Sequence, residues 1–501
     1  MMDSAFGASK LTASQFIANP EQDAAVEKLK HFLVSDCLNF LLLGSAGSGK
    51  TTTIVRAFDK TDLNVMFCAF TNKATSVLQN MTRKFKLSFN ASFSTIHTLL
   101  GLQPKYSDNP SDSLQFEFRE SAIIKLVEYD VIIFDECSTI SKDLYPFVEK
   151  TRTCISDKYE KTIKYIFLGD FWQIPPVHEK NGIIFATAIS EMWPVSKLSK
   201  IMRSNNQFIY DINTRFLAWI DLYKTDKNNA AWKELIEKYP YNLVKASTNR
   251  YLKKLNELIL QYYNTYSDDS IILTHSRKNC EEINNIVQDL LDSNAGRSPR
   301  TDKTKISKFY VNDRCCLEKP IILTKLDREY AGGDLIITVG EELPSKLYNG
   351  EIFDVIVVED AIIKTPISRF SQTFHGQVLT ISRTTMPGEL FEIVFIKQDD
   401  LKSAYAMLKR KLKKPAYISM VTTFNKYQPI LMYGYCVTIY KSQGSQWKNV
   451  YINMRNIWWS LCGQLGSIKD NQKKYQDEKM LLFKLTYTAV SRASDELYLF
   501  W

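Results

Sequence analysis

Nine cysteines are spread over 501 residues, and no two form a C-x-x-C pair. The adjacent Cys315 and Cys316 lack the second pair that a metal finger needs, so free thiols in a reducing compartment are expected. Long apolar runs are also missing. Runs such as Phe40–Leu43 and Val131–Phe134 fall far short of the roughly 20 residues a membrane-spanning helix requires. Met1–Lys10 has neither a basic cap nor an apolar core, which argues against a secretion signal and for a cytoplasmic protein with no membrane partner. Repeats of 20 to 50 residues and low-complexity tracts are absent, which excludes solenoids and tails. Charge of one sign is not in large excess. Lys and Arg total 64 against 55 Asp and Glu, a net +9 that permits an anionic partner without requiring one. An apolar share of 45% and a charged share of 24% are ordinary globular usage, which rules out disordered, collagen-like and coiled-coil chains. At roughly 150 residues per domain the length suggests two to four domains.

What is present is a rhythm of short apolar runs separated by helical patterns. Asn39–Leu43, Asn64–Ala69, Val131–Phe134, Tyr165–Leu168, Ser270–Thr274 and Val450–Met454 suit strands buried on both faces. Their alternation with helices implies parallel α/β layers. Two stretches break the rhythm. Residues 104–120 read as a polar turn followed by the alternating Gln115-Phe116-Glu117-Phe118, a small inserted hairpin. Residues 306–414 are strand-rich, with turn signals at Gly332-Gly333, Asn349-Gly350 and Pro387-Gly388, and read as a small antiparallel barrel inserted into an α/β domain. Gly296–Ser307 reads as a linker or exposed loop.

Leu41–Thr51 reads LLLGSAGSGKT, an apolar strand running into G-x-x-x-x-G-K-T with a helical pattern (Thr52–Asp59) behind it. Gly44, Gly47 and Gly49 let backbone N–H groups turn toward one anion, and the helix N-terminus adds its positive dipole end. Lys50 supplies a full charge for the outer phosphates and Thr51 a hydroxyl for Mg²⁺. Ser45, Ala46, Ser48 and Thr52 complete the expected ATP-binding loop. VIIFDECST follows at Val131–Thr139. Asp135 and Glu136 emerge at a strand end, where open α/β sheets bind ligands. Asp135 suits the Mg²⁺ shell, and Glu136 suits orienting and deprotonating a water. In IFLGDFWQIPPV, Ile166–Val177, a second such strand leads to Gln173, whose amide both donates and accepts and so can sense a γ-phosphate or the attacking water.

In order along the chain, from about residue 11 to 501, these strings and others resemble the motifs of superfamily 1 helicases. The resemblance is to the 1B branch that includes RecD-like enzymes and the phage Dda helicase. Gln22, in Asn19-Pro20-Glu21-Gln22, resembles the adenine-reading glutamine. Ala69–Ala74, with Thr71 and Asn72, resembles motif Ia, and Ser94–His97 the next DNA-contacting motif. LSKIMRS at Leu198–Ser204 resembles motif IV with Arg203. VTIYKSQGS at Val437–Ser445 resembles motif V with Gly444, and YTAVSRA at Tyr487–Ala493 resembles motif VI with Arg492. Motif V departs from the family's H-K-x-Q-G, because Tyr440 stands where the histidine is usual.

The resemblance implies two RecA-like P-loop lobes, parallel sheets flanked by helices, with a hairpin inserted in the first and an SH3-like β-barrel in the second. It divides the chain into 1–103 and 121–205, the hairpin 104–120, then 206–305 and 415–501 around the insert 306–414. Arg203 and Arg492 would face the γ-phosphate, with ATP in a cleft that closes on binding. Thr71, Asn72, His97, Thr438, Lys441 and Ser442 would grip a single strand without reading sequence. Phe118 would either pack on the lobe or wedge against the last base pair. Trp172 and Trp447 are stacking candidates for which core packing is the better reading. The basic run Lys409–Lys414 reads first as a solvated helix face and second as a phosphate contact. The implied activity is ATP-dependent 5′ to 3′ translocation on single-stranded DNA with duplex unwinding. The alternative is a DNA-dependent ATPase that displaces proteins or remodels forks. The implied partners are single-stranded DNA and its junctions, with replication or recombination proteins. A monomer is implied, in the host cytoplasm if the chain is phage-encoded, and residue types do not separate an RNA from a DNA track.

Overall fold

Short apolar runs with no polar alternation must be covered on both faces. A computed structural model of the chain, describing residues 19–70, 89–105, 115–176, 182–200, 269–297, 308–319, 321–347, 350–365, 374–384, 386–413, 428–457, 472–500 and short stretches between them, covers them in that way. Helix α1 (Pro20–Val34) precedes β1 (Asn39–Gly44), α2 (Lys50–Ala57), β2 (Asn64–Ala69), β3 (Asn90–Thr95) and α3 (Ile96–Leu99). A hairpin of β4 (Leu102–Lys105) and β5 (Gln115–Phe118) follows, then β6 (Val131–Phe134), α4 (Tyr145–Tyr159), β7 (Lys164–Gly169), α5 (Ile183–Ser190) and β8 (Val195–Leu198). Apart from the hairpin, the strands form one parallel sheet in the order β3-β2-β6-β7-β1-β8. Alternate residues feed two cores. Leu41, Ile132, Phe134 and Phe167 face one side with Ile184 and Phe185 of α5. Phe40, Leu42, Ile133 and Ile166 face the other with Leu29 of α1 and Ile54 of α2.

The second half opens with β9 (Leu243–Val244), β10 (Ser270–Thr274) and α6 (Arg277–Asn294). The chain then leaves for β11 (Arg314–Leu317), β12 (Ile321–Ala331), β13 (Asp334–Leu347), β14 (Ile352–Lys364), β15 (Phe374–Arg383), β16 (Met386–Ile396), α7 (Gln398–Lys411) and β17 (Leu431–Tyr433). It returns with β18 (Cys436–Thr438), α8 (Ile439–Ser442), β19 (Trp447–Asn453), α9 (Gln472–Val490) and β20 (Ala493–Phe500). Strands β18-β10-β19-β20-β9 form a second parallel sheet. The fold is therefore α/β, with two RecA-like lobes whose sheets are flanked by helices.

Three sequence expectations need correction. The P-loop helix runs from Lys50 to Ala57, starting two residues before the predicted Thr52, because left-handed Gly49 (φ 86°) is its N-cap. The insert is a mixed sheet in which β13 and β14 run parallel, and β12 meets β16 through the Arg328–Glu392 ion pair (2.7 Å) with no hydrogen-bonded ladder between them among the described residues. Instead α7 lays Leu401, Ala404 and Leu408, spaced three and four apart, over one face of the sheet. Finally, β17 lies beyond the expected end of the insert at residue 414 yet pairs with β11. Insert and lobe also share one core, in which Cys315, Phe353 and Ile381 pack with Ile272, Tyr451 and Cys280.

A nucleotide cleft between the lobes

Strand order brings the chemistry together. β7 lies between β6 and β1, so the carboxyl ends of the three strands deliver Asp135, Asp170 and the P-loop side by side. In the loop Gly47 (φ 80°) and Gly49 (φ 86°) occupy the left-handed region that favours glycine. Lys50 Nζ donates to the carbonyls of Gly44 (2.7 Å) and Ser45 (3.2 Å), which holds it across the loop mouth. Ser45 Oγ and Ser48 Oγ are buried with no hydrogen-bond partner among the described residues. Gln22 is 4% exposed. Its backbone N–H and Oε1 form a capping box with Asn19, and its Nε2 donates to Ser48 O (3.3 Å), so the segment before β1 is tied to the loop.

Asp135 Oδ1 accepts from Glu136 N (2.9 Å). Glu136 adopts φ 51°, a conformation uncommon for a non-glycine residue, which turns its carboxylate at the strand end. Gln173 is 2% exposed. With its amide oriented to satisfy both ends, its nitrogen donates to Glu136 Oε2 (3.2 Å) and its oxygen accepts from Arg492 Nη2 (3.2 Å). Arg492 comes from the far lobe, just after α9, and is 3% exposed. Its guanidinium is aimed by Thr488 O (3.0 Å), Ser491 Oγ (2.9 Å) and Ser445 O (3.3 Å). The cleft so formed has a cavity volume of about 90 Å³ between Lys50, Thr51, Asp135 and Glu136 on one side and Gly444, Ser445 and Arg492 on the other. Gly444 (φ 72°) lies so close to Ala74 that an added Cβ would stand 2.9 Å from the Ala74 Cβ.

A second set of contacts joins the lobes beside the cleft. Asp170 is 2% exposed and accepts from Tyr487 Oη (2.7 Å) and Trp172 N (3.1 Å). Burial pushes the Asp170 carboxyl up, while the Lys50 charge and the Tyr487 hydroxyl oppose that shift. Ile174 N donates to Thr488 Oγ1 (3.2 Å), Gln443 Nε2 donates to Ile174 O (3.0 Å), and the Ile174 side chain enters the core of the second lobe. The sequence reading did not single out Asp170, Tyr487 or Thr488 as joining the lobes. Each belongs to a quoted motif, but contact across the cleft carries no sequence signal.

The remaining expected residues divide. His97, on α3, meets Phe70 edge-on at 5.2 Å, and burial lowers its pKa. Phe70 is 38% exposed at the end of β2, a stacking surface the sequence reading passed over. Thr438 caps α8 by accepting from Lys441 N (3.4 Å). Lys441 Nζ pairs with Glu318 (3.3 Å). Ser442 is corrected: it is fully buried and donates to Ile439 O (2.7 Å), so its hydroxyl serves its own helix and not a strand. Phe118 is corrected likewise. It sits at the hairpin base opposite Leu102, stacks on Phe147 at 6.2 Å and lies under Lys150, so it packs on the lobe. Trp447 and Trp172 pack with the core of the second lobe. Tyr440 also packs there and lies 6.4 Å from the His275 ring. Arg203, Thr71 and Asn72 lie outside the described residues.

A P-loop on one lobe and an arginine delivered by the other face each other across this cleft, an arrangement suited to a nucleotide. Residues 27–179 match the family model described as an AAA domain. The chain is 26% identical to the uncharacterized protein R530 of Acanthamoeba polyphaga mimivirus, over 96% of this chain and 99% of that protein. Among solved structures it is similar to Bacteroides Pif1 bound to single-stranded DNA, with a TM-score of 0.50, 15% identity, and coverage of 97% of this chain and 92% of that one. A Pif1 helicase from Candida albicans gives 0.46 at 16% identity, covering 97% and 94%. The similarity to Bacteroides Pif1 is one of fold.

Proposed function

We propose that this protein is a superfamily 1B DNA helicase that hydrolyses ATP between its lobes to move along single-stranded DNA and open duplexes, in the 5′ to 3′ direction. The observation that carries the reading is the Glu136–Gln173–Arg492 chain, which joins the expected general base of one lobe to the arginine of the other. An amide held between a carboxylate and a guanidinium responds to a phosphoryl group arriving beside it. Arg492 is a planar, permanently charged donor suited to transferring phosphate charge.

The residues also suit Mg²⁺. A hydroxyl (Thr51) and a carboxylate (Asp135) at one cleft are hard oxygen donors, and a bound Mg²⁺ would neutralise charge on the β- and γ-phosphates. Lys50 would hold the outer phosphates, Gln22 would meet adenine, and Glu136 would take the proton from the attacking water. Nucleotide binding draws the lobes together and hydrolysis releases them. A strand lying over the carboxyl ends of both sheets, near Phe70, His97 and Thr438, is then gripped alternately. Such grips act on phosphates and base faces without reading sequence. The similarity to a Pif1 structure bound to single-stranded DNA supports this track.

Fork substrates with 5′ or 3′ single-stranded tails test the proposal. ATP-dependent opening of the 5′-tailed fork is expected. Opening of the 3′-tailed fork alone would reverse the polarity. ATP hydrolysis stimulated by single strands without strand separation would favour a translocase that clears proteins from DNA.

A further inference from the structure

α9 presents Lys484, Tyr487 and Thr488 on one face, three and four residues apart, toward the 170–174 segment of the first lobe. Tyr487 and Thr488 make the hydrogen bonds described above, but Lys484 makes none among the described residues. It is 4% exposed, and its Nζ stands 5.0 Å from the centre of the Phe171 ring. That ring is boxed edge-on by Trp172 at 4.9 Å and by Phe185 at 5.3 Å. The charged group that acts on Lys484 is Asp170. Asp170 in turn feels Lys50 and Glu136 from the phosphate side and accepts the Tyr487 hydroxyl.

An ammonium buried against a ring, with no ion-pair partner within 4.0 Å among the described residues, is a poor structural choice, because desolvation penalises it and an apolar side chain of similar length would fill the same space. What the charge can do is hold Phe171 by its ring face and attract the Asp170 carboxylate at longer range, without a direct ion pair. Both precede Gln173, whose backbone N–H donates to Asp170 O (3.2 Å).

We propose that Lys484 is a positioning residue of the nucleotide cycle, which from the second lobe clamps Asp170 and Phe171 so that Gln173 stays aligned between Glu136 and Arg492. The inference rests on the ATPase reading above and adds a residue that the helicase motifs do not assign. Burial lowers the lysine to about 8, so the clamp is charged below that pH and neutral above it. The sign for stability is opposite. The unfolded chain keeps the proton to higher pH than the folded one, so stability rises with pH above about 8, and below it the buried charge is a burden.

The test uses the full-length chain with Lys484→Met and Lys484→Arg, measuring DNA-stimulated ATP turnover and thermal unfolding on either side of pH 8. In the unsubstituted protein kcat should fall as pH rises through about 8. Lys484→Met should unfold at a higher temperature below that pH, turn over about five-fold or more slowly with KM for ATP unchanged, and lose the pH step. Lys484→Arg should retain turnover and also lose the step. A methionine variant with unchanged turnover and an unchanged pH profile would overturn the inference, as would one that unfolds at lower temperature. If the unsubstituted protein shows no DNA-stimulated turnover, the ATPase reading falls first.

Discussion

At the scale of single residues, the cleft depends on a few side chains whose roles separate by kinetics. Under the proposed function, Glu136→Gln removes the base while leaving the Lys50 cradle in place. kcat should drop by about 10²- to 10⁴-fold with nucleotide binding retained, as measured by steady-state hydrolysis and titration of a fluorescent nucleotide. Arg492→Lys keeps a charge but not the fork held by Thr488 O, Ser491 Oγ and Ser445 O. Its kcat should fall by about 10³-fold with little change in nucleotide affinity if, as proposed, the arginine acts on charge that develops during transfer. A loss of affinity matching the loss of kcat would assign Arg492 to ground-state binding. The P-loop, Asp135–Glu136, Gln173 and Arg492 were legible as motifs. Asp170, Tyr487 and Lys484 were not legible as partners, because a buried hydroxyl and a buried ammonium reveal their purpose only through what faces them.

At the scale of elements, α7 shows why a charge run needs its helix. Leu401, Ala404 and Leu408 face the sheet, so Lys409, Arg410 and Lys411 fall in the exposed last turn, where they complement the negative end of the helix dipole. Replacing the three with glutamine should lower stability by about 1–2 kcal/mol in denaturant titrations, from the loss of those dipole contacts. The slope of DNA affinity against salt should stay unchanged. A slope reduced by about three would instead make them phosphate contacts. The hairpin teaches the same lesson. The alternation of Gln115–Phe118 announced a strand, and β5 is one, but only Phe147 and Lys150 on α4 show that Phe118 is held against the lobe.

At the scale of the whole molecule, function depends on two lobes approaching to a set distance. Gly444 marks that limit, with a left-handed backbone and Ala74 directly across from it. Gly444→Ala adds both backbone strain and a wedge between the lobes. The cleft should then close poorly, raising KM for ATP and lowering DNA-stimulated kcat together, while the far-ultraviolet circular dichroism spectrum stays unchanged. Normal kinetics in this variant would mean that the lobes approach elsewhere.

Sequence alone determined the strands, the phosphate loop, the acidic pair and the parallel α/β layers, because these arise from local periodicity and from short spacings between neighbours in the chain, while the division into two lobes was implied by the resemblance. Tertiary structure alone decided that β7 lies between β1 and β6, that β17 joins the insert, that Ser442 and Phe118 turn inward, and that Arg492 meets Gln173. The physical reason is distance along the chain. Residues such as Asp170 and Tyr487 are separated by 317 positions, and no pattern within either segment encodes which surface the other will meet.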